Sequence, residues 1–148
     1  FCVLDDGGHL FSPSGLLAAL GYPTWDVGVV MNDFAEKYPD YVNKFVKAEC
    51  AGIDFWLNNP AETSKIIAKE LELSLDDATR MMKGTEMVPC EKQLTQQYLG
   101  DGSKKSGFVK TLVSTGNFLH EQKRLPREAS SKQMSDFIVT DYLEAVTK

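Results

Sequence analysis

Apolar residues are spaced differently in the two parts of this chain. Up to residue 31 they come in short runs separated by turn formers, Asp5-Asp6-Gly7-Gly8, Ser12-Pro13-Ser14-Gly15 and Gly21-Tyr22-Pro23, and such clusters punctuate loops. His9-Leu10-Phe11 suits a short strand. The run W-D-V-G-V-V-M from Trp25 to Met31 is β-branched and bounded by polar and turn residues, which predicts a buried strand.

From there on the spacing is helical. Asn32 or Asp33 can cap a short helix through Tyr38, and Pro39 suits the first position of a longer one. In that helix Val42, Phe45, Val46, Glu49/Cys50, Ile53, Trp56 and Leu57 recur at three- and four-residue steps, one stripe for one core. Asn59-Pro60 closes it and opens the next, with Asn59 expected as cap, Pro60 at the first position, Glu62 in the first turn and Ile66, Ile67 and Leu71 expected inward. Ser74 with Asp76 and Asp77 repeats the start signal, the acids facing the positive helix end, and Gly84 is expected as a left-handed stop. A further helix is expected over Glu91 to Leu99, closed by Gly100. After the loop Gly100 to Gly107, a stripe of Phe108, Leu112, Val113, Gly116 and Leu119 predicts another helix. Beyond Pro126, Met134, Phe137, Ile138, Tyr142 and Val146 predict a terminal one.

The coarse map is one or two short strands followed by about six helices, with no internal repeat. One strand forms no sheet alone, so strand partners are expected outside this chain. The 148 residues suffice for one core, and 43% hydrophobic with 25% charged is ordinary globular usage. Net charge is -5 and no basic stripe occurs, which argues against nucleic acid and anionic membrane as partners. Apolar stretches are too short to span a bilayer.

Chemistry-bearing patterns are sparse. G-x-S-x-G, H-E-x-x-H and the phosphate-loop pattern are missing. The loop from Gly100 to Gly107 carries Lys104 and Lys105 before a helix, but its spacing is that of a connector. His9 and His120 have no nucleophile pattern beside them, and His120 falls in the last turn of a helix, where an imidazolium complements the dipole. Cys2, Cys50 and Cys90 lie far apart and are odd in number, so they read as small semi-apolar residues and not as a disulfide framework or zinc site. The expectation is no catalytic residue, no metal and no cofactor. The exception is Gly21 to Asp26, where a turn enters the strand and an acid sits at its mouth beside an indole and a hydroxyl. An acid next to an apolar strand is costly unless paired. Asp26 either faces a ligand ammonium or accepts hydrogen bonds from nearby backbone N–H groups.

Pro23-Thr24, Asp26, Val29-Val30, Asp33-Phe34-Ala35-Glu36-Lys37 and Pro39 resemble the segment P-T-x-D-x-x-V-V-x-x-D-F-A-E-K-x-P of solute-binding proteins of bacterial ABC importers, in their taurine and aliphatic-sulfonate group, with nitrate and thiamine-precursor binders as relatives. Asn59-Pro60, Lys83-Gly84, the Gln93 to Leu99 stretch, Phe118-Leu119 with Gln122, and Leu125-Pro126 follow in similar order. The likeness runs from about Gly7 to the end of the chain.

The resemblance implies an α/β fold, the C-terminal portion of a type II periplasmic-binding-protein fold, mostly helical here with one or two strands. Residues 1–24 would be a crossover or second-lobe remnant and 25–148 the C-terminal part of the first lobe. It implies a non-enzymatic, periplasmic or extracytoplasmic binding component, with a small sulfonate or zwitterion in the interlobe cleft and a membrane permease as partner. Asp26 matches the acid that meets the ligand's amino group, with Thr24, Trp25 and Tyr22 beside it as candidate ligand contacts. Trp25 stands where a smaller residue is usual, Tyr22 where Ser is usual, and Leu20 where a Trp is common, so a differently shaped cleft is expected. A rival expectation is a binding-protein-like fragment that serves as a structural or accessory subunit of a larger assembly. A third, kinship with thiamine-pyrimidine synthases of the same fold, would require a His and a Cys-rich region that have no counterpart here.

Overall fold

A computed structural model describes residues 18–20, 23–103 and 105–148. From Asn32 onward eight helices follow: α1 (Asn32–Lys37), α2 (Pro39–Asn58), α3 (Pro60–Glu70), α4 (Leu75–Lys83), α5 (Cys90–Gln93), α6 (Gly107–Glu121), α7 (Ser131–Ser135) and α8 (Asp141–Thr147). Proline occupies the first turn of both α2 and α3, where its missing N–H costs nothing. Ser74 caps α4, its Oγ accepting from the Asp77 N–H at 3.1 Å while its hydroxyl donates to the Asp77 carboxylate at 2.6 Å. Ser106 caps α6, its Oγ accepting from the Val109 N–H at 3.1 Å, and is fully buried, and Ser130 caps α7. Asn59, in contrast, turns its amide back to the Phe55 carbonyl at 3.3 Å and caps nothing with its side chain.

The body is a set of helix pairs. The last helix, α8, lies against α2, α3 against α4, and α6 against α7. On α2 the inward stripe is Val42, Val46, Cys50, Ile53 and Trp56, while Phe45 and Leu57 are exposed. On α3 the inward positions are Thr63, Ser64, Ile67 and Ala68. The expected inward Ile66 and Leu71 are exposed, because α3 turns the face one step along its axis toward α4. Among the buried apolar side chains are Val42, Ala78, Met82, Val109 and Leu143.

Three places show close approach. A Cβ on Gly107 would stand 1.9 Å from the Gln97 carbonyl oxygen, and one on Gly116 would stand 2.4 Å from the Ala129 Cβ, so both positions exclude a side chain. Ala129 is held there by its N–H, which donates to Asn117 Oδ1 at 2.8 Å. A disulfide joins Cys50 on α2 to Cys90 at the start of α5 across a sequence separation of 40, with Cα atoms 5.7 Å apart. This corrects the reading of these cysteines as unlinked apolar residues. An odd total says nothing about whether two of them meet, and the meeting depends on how α2 and α5 pack.

Other expectations are corrected as well. No residue pairs as a strand among the described residues. The segment 23–31 is irregular, and the strand expected from Trp25 to Met31 is largely in solvent, with Val29 90% exposed. A strand needs a neighbour's N–H and C=O groups, and none of the described chain supplies them. His9 to Phe11 lies outside the described residues, as does nearly all of 1–24. The α/β expectation is thus met only in its helical part. The helix expected from Glu91 to Leu99 stops at Gln93, where the i,i+4 ladder gives way to tight turns: the Thr95 N–H donates to the Lys92 carbonyl, the Tyr98 N–H to the Thr95 carbonyl, and the Leu99 N–H reaches back to the Gln93 carbonyl at 2.9 Å. The single terminal helix is two, α7 and α8, with Phe137 and Val139 exposed in the break. Gly84 does follow α4, but at φ -85, so it ends the helix without the left-handed turn.

Candidate functional site

The candidate residues sit on the irregular segment that leads into α1. Burial alternates along it: Pro23 and Trp25 are half-buried, Thr24 and Asp26 exposed. The alternation ends there, since residues 27 to 31 are all exposed. Tyr22 lies outside the described residues. Thr24, Trp25 and Asp26 therefore come together only as neighbours in sequence, and they part in direction, with the indole turned to the body and the carboxylate and hydroxyl to solvent. Among the described residues no hydrogen bond to Asp26 is present, so the alternative in which backbone N–H groups nearby hold its carboxylate is not what this structure shows.

Trp25 meets an aromatic cradle. Its ring centroid is 5.6 Å from that of Tyr98 and 5.9 Å from that of Phe108, with both pairs near perpendicular at 85° and 81°. Edge-on pairs of this kind add about 0.5–1.5 kcal/mol beyond the area they bury. The cradle is itself braced. The Phe108 N–H donates to the Tyr98 carbonyl, and the Tyr98 hydroxyl donates to Glu86 Oε1 at 3.3 Å. Burial first, then the Glu86 charge and this hydrogen bond, push the Tyr98 phenol above its usual pKa. Trp25 Nε1 is buried and has no hydrogen-bond partner, an arrangement that costs about 1–3 kcal/mol unless an acceptor comes from elsewhere.

The loop before α6 holds a second polar feature. Asp101 Oδ1 accepts from the Ser103 N–H at 3.0 Å. The Ser103 hydroxyl, then its N–H, hold the Asp101 carboxyl below its usual range. Gly100 and Gly102 both take positive φ, 59° and 71°, which is why this loop needs glycine twice.

Two surface depressions formed by the described residues do not include Thr24, Trp25 or Asp26. One is an open groove between α2, α3 and α4, lined among others by Trp56, Leu57, Pro60, Leu75 and Met82. The other is lined by Leu94, Gly100, Asp101, Glu144, Thr147 and Lys148. His120 is in the last turn of α6, as expected, with Nδ1 3.0 Å from the Leu125 carbonyl oxygen. Among the described residues no group of three His, Cys, Asp or Glu could hold a metal ion, and no helix is long and apolar enough to cross a membrane. Sequence reasoning missed the Trp25–Tyr98–Phe108 cradle and the disulfide. The aromatic identities were visible, but their meeting joins positions 73 or more apart in the chain and carries no local signal.

No protein-family model matches the chain, and no solved structure matches it at a significant level. One curated relative does match: the chain is 28% identical over 149 residues to a taurine-binding periplasmic protein of Escherichia coli (strain K12). The alignment covers 96% of this chain and 43% of that protein, so the chain spans less than half the length of the relative it matches. The likeness supports a solute-binding protein family.

Proposed function

We propose that this chain is part of the substrate-binding component of an ABC importer, which holds a small sulfonate or zwitterion such as taurine in a cleft between two lobes. The observation that carries this reading is the likeness over 96% of the chain to a periplasmic binding protein for taurine. In this proposal residues 25–148 belong to the first lobe and residues 1–24 to the crossover, and the remaining length of the relative corresponds to the rest of the cleft. Closure about the crossover would trap the solute and present the closed form to a membrane permease. No chemical step is assigned to the chain.

The exposed Asp26 carboxylate is the ligand-facing group of this reading. A zwitterion entering a closing cleft loses water from its ammonium, and a desolvated cation needs a counter-charge. The Cys50–Cys90 disulfide supports an extracytoplasmic location, since such bonds persist in oxidising compartments. In the complete protein, Asp26→Asn is expected to weaken taurine at least about thirtyfold, the consequence of leaving a buried charge unpaired, and to leave ethanesulfonate nearly unchanged. Equal losses for both ligands in isothermal calorimetry would remove Asp26 from the site.

The exposed run Val27, Val29, Val30 and Met31 also favours a second reading, in which the chain is an accessory subunit covered by another protein. Co-purification of the native protein as a stable hetero-assembly that binds neither ligand would select that reading over transport.

A further inference from the structure

The segment that carries Asp26 is weakly tied to the body. Among the described residues, no backbone hydrogen bond engages residues 23–30, and the first after them runs from the Ala35 N–H to the Met31 carbonyl. Among the described residues no ion pair anchors the segment, and its inward side chains are Pro23 and Trp25. Trp25, by contrast, is gripped on two sides by rings from a rigid part of the fold. Tyr98 and Phe108 are joined to each other through the Phe108 N–H and the Tyr98 carbonyl. Just ahead of Phe108, Gly107 approaches Gln97 too closely for any side chain, and the buried Ser106 caps α6. The cradle therefore has little freedom to follow the segment, and the segment must follow the cradle.

We propose that Trp25 is a positioning residue. Its indole, seated edge-on against Tyr98 and Phe108, anchors the segment, and the next side chain, the exposed Asp26, is thereby held facing away from the body, on what the proposed function makes the ligand side. The bulk at position 25 thus sets the aim of the acid instead of filling the cleft. This inference rests on the ligand-facing role of Asp26 proposed above, and it assigns to an aromatic clasp the preference for amino-bearing ligands over plain sulfonates.

The test uses the complete protein with taurine and ethanesulfonate as probes in isothermal calorimetry. Trp25→Ala is expected to weaken taurine about tenfold, the scale of one lost or misaimed charge contact, while ethanesulfonate binding stays within about twofold. Trp25→Phe keeps a ring in the cradle and removes the orphaned N–H, and it is expected to restore taurine binding to within about threefold of the parent. In an Asp26→Asn background the effect of Trp25→Ala is expected to vanish, because the clasp acts through that carboxylate. Should Trp25→Ala not fold, Phe108→Leu trims the cradle from the other side and carries the same expectations. Equal weakening of both ligands, or an effect that persists without the Asp26 charge, makes the clasp a purely structural contact and overturns the inference while the role of Asp26 stands. If Asp26→Asn itself shows no selectivity, the ligand-facing role fails and the positioning inference falls with it.

Discussion

Two valines of this chain, 80 positions apart, meet opposite fates. Val109 is fully buried at the start of α6, whereas Val29, in the run before α1, is 90% exposed. The residue type is the same, so the difference lies in what surrounds it. Val109 sits where a buried serine cap, a glycine pressed on the 96–97 backbone and two cross-segment hydrogen bonds bring chain together from several directions. Val29 sits on a segment held by one aromatic clasp and by none of the hydrogen bonds that would make it a strand. Burial of a β-branched run is thus a property of partners, and the helical body brings its own partners where the leading segment does not.

That contrast can be attacked from the strongest constraint downward. The disulfide ties α2 to α5 across 40 residues, and a chain-entropy treatment of a loop that long gives about 4 kcal/mol. Urea denaturation of the Cys50→Ala/Cys90→Ala variant is expected to show a loss of that order. A loss below about 1 kcal/mol would mean that the body holds α2 against α5 without the bond. Next, Gly107→Ala places a methyl group on backbone atoms that have no side-chain freedom to yield, for an expected cost of about 3 kcal/mol by the same measurement. The smallest effect belongs to the leading segment. Val29→Ser is expected to change stability by less than about 0.5 kcal/mol and to lower any tendency to self-associate, checked by light scattering. A loss above about 2 kcal/mol in the complete protein would show Val29 covered there by residues beyond this chain.

Much of the helical body was legible. Prolines at 39 and 60 marked two helix starts, Ser74 with its acids marked a third, and the Phe108 to Leu119 stripe located α6. These signals are local, since capping and proline geometry act within one turn. Errors gathered where a distant group decided the outcome. The helix through Glu91 ends at Gln93 and gives way to turns at 94–99, on which the Gly107 and Phe108 N–H groups dock at the carbonyls of 96 and 98. On α3 the apolar positions were read correctly but aimed wrongly, because the neighbour α4 set which side is inside. At the candidate site, Asp26 beside an indole could be read from the chain, but the opposite directions of those two side chains could not.

By itself the sequence determined where α2, α3 and α4 begin, that Ser74 caps α4 and that an acid heads an apolar run, because each of these depends on atoms a few residues apart. Tertiary structure alone decided that Cys50 meets Cys90, that Trp25 lodges between Tyr98 and Phe108, and that Val27 to Met31 stays in solvent. Each of those depends on segments tens of residues apart arriving at one place, and no local spacing encodes that arrival.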